Sequence, residues 1–196
     1  MNNYKRFISS KKQFEESLNL IKKVFNYEKR LPEQVFKMEF SKNYVFDFDI
    51  VMSSSFWGEL ERLVTLSDDQ HILMAVLDPH PESYYYKEFS QYNWCILSRN
   101  FTEKEYWETI ESSPEASPAD AIVFNSETIV WVSSSMKWAM WGERSYGICI
   151  LGISDGVSTF ESEVNLTLEQ AINELVSLNF GGEVSKEVVS KLMMNY

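Results

Sequence analysis

Ala119–Leu151 reads ADAIVFNSETIVWVSSSMKWAMWGERSYGICIL. Four short apolar runs stand out in it: Ala121–Phe124, Ile129–Val132, Trp138–Trp141 and Tyr146–Leu151. NSET, SSSMK and GERS separate them. β-Branched and aromatic residues in runs of this length, broken by turn formers, predict an antiparallel meander of four strands. The stretch carries almost no chemistry. It has no Gly-rich phosphate loop, no Cys/His cluster, and no Ser or Cys nucleophile in a recognisable motif. Binding is therefore favoured over catalysis.

Working outward, Leu166–Gln170 opens a helix. Thr167 caps it, Gln170 closes the capping box, and Leu168, Ala171, Ile172, Leu175 and Val176 form its apolar stripe. That stripe needs an apolar partner, and the meander offers one face. Ser185 starts a final helix with Val188, Val189, Leu192 and Met193 on one side. On the N-terminal side, Ser10–Tyr27 predicts an amphipathic helix capped by Ser10, with Phe14, Leu18, Ile21 and Phe25 inward. VFKMEF (Val35–Phe40) fits a strand or a short helix. Tyr44–Met52 and His71–Leu77 predict strands, Phe56–Leu66 a helix, DPHPESYYYKEF a loop, and Tyr92–Leu97 a strand. Thr102–Ser112 is a helix with Thr102 as cap, Glu105 closing the box and Phe101 stapled to Tyr106. Strands and helices do not alternate regularly. The predicted class is α+β: an antiparallel sheet with the meander at Ala119–Leu151, and helices packed on one face and at the ends. Residues 1–196 read as a single domain, with SPEASP (Ser113–Pro118) the point where a subdivision would fall.

Composition narrows the function classes. At 44% hydrophobic and 15% aromatic, the chain has the material for a filled core. No apolar run approaches the ~20 residues of a membrane helix. The N-terminus lacks the apolar stretch of a secretory signal. Cys95 and Cys149 sit inside apolar runs, as buried thiols would in a reducing compartment. The expected location is the cytoplasm. The formal charge of −11 is unevenly placed: residues 101–174 carry three bases against thirteen acids, whereas residues 1–30 carry eight bases against three acids. A field of this sign repels nucleic acid and anionic membrane and attracts a basic protein partner. It also simply keeps a protein soluble.

Candidate chemistry is sparse. Asp47 and Asp49 in FDFD share a strand face, as a metal-binding carboxylate pair would require. Solvent-side aspartates opposite a Phe46/Phe48/Ile50 core face explain the same pattern. They carry the alternative reading, a metal-assisted hydrolase or transferase. His71 and His80 are the only histidines; Asp78, His80 and Glu82 could converge, but such residues are common in exposed turns. No catalytic residue, metal ligand set or cofactor is nominated. The aromatics Tyr84–Tyr86 and Tyr106–Trp107 are consecutive, so each group should leave at least one ring near solvent. The helix at Thr102–Ser112 joins acids to aromatics: Glu103, Glu105, Glu108 and Glu111 surround Tyr106 and Trp107. Those six residues form the candidate partner-binding set. Acids favoured by a helix dipole are the plainer explanation.

The meander ETIVWVSSSMKWAMWGERSYGICILG (Glu127–Gly152), in a small, acidic, Trp-rich α+β chain, resembles the immunity proteins of bacterial polymorphic and contact-dependent toxin systems. The resemblance implies a protein that binds and blocks a cognate toxin, without a cofactor. The class shares no common motif, so it assigns no functional residues here.

Overall fold

In the computed structural model, which describes residues 7–115 and 117–196, six strands form one open antiparallel sheet. They are β1 (Lys42–Asp47), β2 (His71–Asp78), β3 (Trp94–Ser98), β4 (Thr128–Ser133), β5 (Trp138–Glu143) and β6 (Ile148–Ile153), in the spatial order β1-β6-β5-β4-β2-β3. Every position of β4, β5 and β6 is buried. Apolar strands of this kind need cover on both faces. Ile129, Trp131, Trp138, Met140, Cys149 and Leu151 serve one core, whereas Val130, Val132, Ala139, Trp141, Ile148 and Ile150 serve the other.

The helices divide accordingly. The first core is covered by α2 (Phe48–Val51), α3 (Trp57–Ser67) and α5 (Glu103–Ile110); a short α4 (Lys87–Phe89) follows β2. The second lies under α1 (Lys11–Val24), α6 (Leu168–Ala171) and α8 (Lys186–Asn195), with an exposed one-turn α7 (Ser177–Asn179) between the last two. A wide π-type turn, Ile172–Val176, joins α6 to α7. The α+β class and the antiparallel sheet match the sequence expectation. The Thr167-capped helix covers one face with Ala171, Ile172 and Val176 buried, and its capping box is formed. The other face is covered as well. Strands from both sides of Ser113–Pro118 share the sheet, with β2 paired to β4. Of that stretch, residue 116 lies outside the described residues.

Several local expectations change. The meander has three strands rather than four, because Ala121–Phe124 is a turn. Asp120 explains it: its carboxylate accepts bonds from Tyr84, Ser117 and Asn125 and closes the segment on itself. The segment 81–89, expected as a loop, is a π-type turn over Pro81–Tyr86 followed by α4. Pro81 sits in its first turn, where the missing N–H costs nothing. VFKMEF is irregular, with a single bridge from Phe36 to Phe25. Between β5 and β6 the chain passes Gly147 at φ +68°, and a Cβ there would meet the Asn179 side chain at 2.3 Å. No helix among the described residues is long and apolar enough to cross a membrane.

Candidate functional site

Helix α5 begins where the sequence places it. The Thr102 hydroxyl accepts the Glu105 N–H at 3.2 Å, and the Glu105 carboxylate accepts the Thr102 N–H at 2.9 Å. Glu105 is thereby used in the cap, and Glu103 shares the first turn, where the helix dipole favours acids. Tyr106 points inward, fully buried, and its hydroxyl donates to the Val51 carbonyl at 2.9 Å. Burial pushes that hydroxyl far above the ordinary tyrosine range. Its ring stands 5.7 Å from Trp57, which stands 5.9 Å from Phe101. Trp57 thus packs against both members of the expected Phe101–Tyr106 staple. Tyr106 leaves the partner-binding set: a ring locked into the core with its hydroxyl bonded to backbone has no face to offer.

Trp107 is half-buried against the same core. It lines an open cleft of about 670 Å³ together with Ser53, Ser54, Thr102, Glu103 and Lys104. The Ser54 hydroxyl donates to Glu103 Oε1 at 3.0 Å, tying the two walls together. Lys104 Nζ lies 3.8 Å from Glu108 Oε1. Glu111 is exposed just past the end of the helix. The Ser53 hydroxyl donates to the Ile50 carbonyl at 2.7 Å, and Val123 N–H donates to the Ile110 carbonyl at 2.9 Å. Ile50 and Phe124 are 39% and 67% exposed. Sequence reasoning found the helix and Trp107 but not the opposite wall. Ser53 and Ser54 lie fifty residues upstream, and nothing local announces their return. Phe124 was assigned to a strand.

Of the carboxylate pair, Asp47 is a helix cap. Strand β1 ends at Asp47, five residues before the expected Met52, because the Asp47 carboxylate accepts the N–H groups of Asp49 (2.7 Å) and Ile50 (3.4 Å) and starts α2. Asp49 is exposed. His80 caps in the same way, Nδ1 accepting the N–H groups of Glu82 and Ser83, both at 3.2 Å. His71 is exposed at the start of β2. No group of three or more His, Cys, Asp or Glu among the described residues is placed to hold a metal ion. Tyr85 is buried, whereas Tyr84 and Tyr86 are partly exposed. Tyr84 bonds the Asp120 carboxylate and Tyr86 stacks on Tyr92 at 4.7 Å, so both lie over the core edge.

One buried carboxylate escaped the sequence reading. Glu143, at the end of β5, accepts the Trp141 indole N–H at 2.9 Å and the Leu31 N–H at 3.4 Å on Oε2, with the Thr128 hydroxyl 3.4 Å from Oε1. Burial pushes its carboxyl above the usual range, against the hydrogen bonds and the nearby Arg30. Its bonds fasten the Leu31 segment to the sheet.

The fold and the α5 margin define an α+β protein with a surface cleft lined by Trp107, Glu103 and Lys104. No protein-family model, curated protein or solved structure matches the chain.

Proposed function

We propose that this chain is a protein-binding module whose α5 margin receives a basic partner. The observation that carries the reading is Trp107, half-buried at an open cleft and flanked by Glu103 and Glu111. Half-exposed aromatics beside charge supply short-range affinity in protein interfaces, while unbalanced charge raises the encounter rate. Residues 101–174 hold thirteen acids against three bases, so the attraction reaches beyond the cleft itself. The same field disfavours nucleic acid.

In this reading the chain works in the cytoplasm as one domain. Its biological role is that of an immunity protein, neutralising a cognate basic toxin domain, as the resemblance of Glu127–Gly152 implies. The partner-binding residues are Glu103, Trp107, Glu108 and Glu111, with Glu105 contributing charge from its place in the cap.

Association kinetics with an affinity-captured basic partner, at two salt concentrations, test the proposal. Glu103→Lys and Glu111→Lys together should slow association at low salt and flatten its salt dependence, leaving dissociation little changed. Unaltered association in a folded double variant would remove the α5 margin from the interface.

A further inference from the structure

The chain already builds one receptor for a guanidinium. Arg144 lies 4.6 Å over the Phe48 ring and donates to the Val123 and Ser126 carbonyls, both at 2.9 Å, and to the Ser126 hydroxyl at 3.2 Å. Arg62 and Arg30 lie over the rings of Phe160 and Trp141 at 5.3 and 5.6 Å. An aromatic face with oxygen acceptors around its edge suits a guanidinium, whose charge is delocalised and whose donors lie in one plane.

The Trp107 cleft offers the same elements at the surface. It has an indole ring, the Glu103 carboxylate, and the hydroxyl oxygens of Ser53, Ser54 and Thr102. Among the described residues no cation lies over the Trp107 ring. Lys104, the one cation lining the cleft among the described residues, has its ammonium beside Glu108. At about 670 Å³ the cleft has room for a long side chain and the backbone that carries it.

Resting on the reading of the α5 margin as the partner face, we propose that this cleft is the receptor for an arginine side chain of the basic partner. The guanidinium stacks on Trp107 and pairs with Glu103. Lysine fits less well, because a compact, strongly hydrated ammonium neither stacks nor makes a two-pronged pair with a carboxylate.

Indole NMR resonances read this directly. Five of the six tryptophans are buried, and Trp107→Phe assigns the sixth. Acetyl-arginine amide should shift the Trp107 resonance saturably, and the citrulline analogue, equal in shape but neutral, should not. Glu103→Gln, which keeps an acceptor for Ser54, should weaken the arginine response about fivefold or more. The five buried resonances report whether each variant is folded. No shift at Trp107, or an equal shift with citrulline, would overturn the arginine receptor. The Glu111→Lys association rate separates the two levels. If it falls while the cleft ignores arginine, the receptor fails and the partner face stands; if neither responds, both fail.

Discussion

Two regions of this molecule use tryptophan in opposite ways. In the β4–β6 meander, Trp131, Trp138 and Trp141 are wholly enclosed, and the indole N–H of Trp138 reaches Ser67 while that of Trp141 reaches Glu143. On the α5 margin Trp107 is held on one side only and opens on a cleft. The same residue type thus serves packing in one place and leaves surface for contact in the other. A tryptophan-rich sequence does not distinguish the two uses; what covers each ring does. The meander tryptophans lie on strands roofed by helices on both faces. Trp107 lies on α5, half-buried, with one side against the core and the other on the cleft.

The contrast breaks most easily by truncation. Trp131→Ala should cost about 3–5 kcal/mol of stability, because an enclosed ring leaves a cavity the sheet cannot close. Trp107→Ala should cost about 1–2 kcal/mol, in keeping with the smaller area it buries. Urea denaturation of both variants measures the difference. Equal losses would mean that Trp107 is a core residue and that the contrast is false.

A subtler test concerns the charge enclosed beside the meander. The unfolded chain ionises a glutamate near its ordinary value of 4.5, while burial holds Glu143 above it in the fold. The folded state therefore keeps the proton longer. Burying Glu143 is favourable below about pH 4.5 and becomes progressively costlier as pH rises through the raised folded value. Glu143→Gln can still accept from Trp141 and Leu31, and it removes the titration. Its stability relative to the natural chain should rise with pH across that window. A difference independent of pH would show that the carboxyl titrates alike in both states.

The smallest effects separate the paired aspartates. Asp47→Ala should cost about 1 kcal/mol by removing the α2 cap. Asp49→Ala, at an exposed site, should stay within about 0.5 kcal/mol. Equal costs would argue for a shared role, as ligands of one ion would have.

These assignments show what the sequence can and cannot carry. The runs Ile129–Val132 and Trp138–Trp141 are legible as strands because all their residues are buried in the fold. Ala121–Phe124 has a similar apolar composition but is folded back by Asp120, whose partner Tyr84 lies 36 residues upstream. The FDFD alternation stops at Asp47 because a side-chain cap competes locally with strand pairing. In Tyr106-Trp107 the adjacency predicts one ring near solvent without saying which; the fold buries Tyr106 and leaves Trp107 half-buried. The cleft itself was hidden, since its walls belong to α5 and to serines fifty residues earlier.

The central claim is that Trp107 marks the binding face, and the dissociation rate of Trp107→Ala from a captured basic partner tests it most directly. A contact at the centre of an interface is lost chiefly through faster dissociation. The account predicts a rise of about thirtyfold, equivalent to ~2 kcal/mol, with association little altered. A folded variant that dissociates at the natural rate would contradict it.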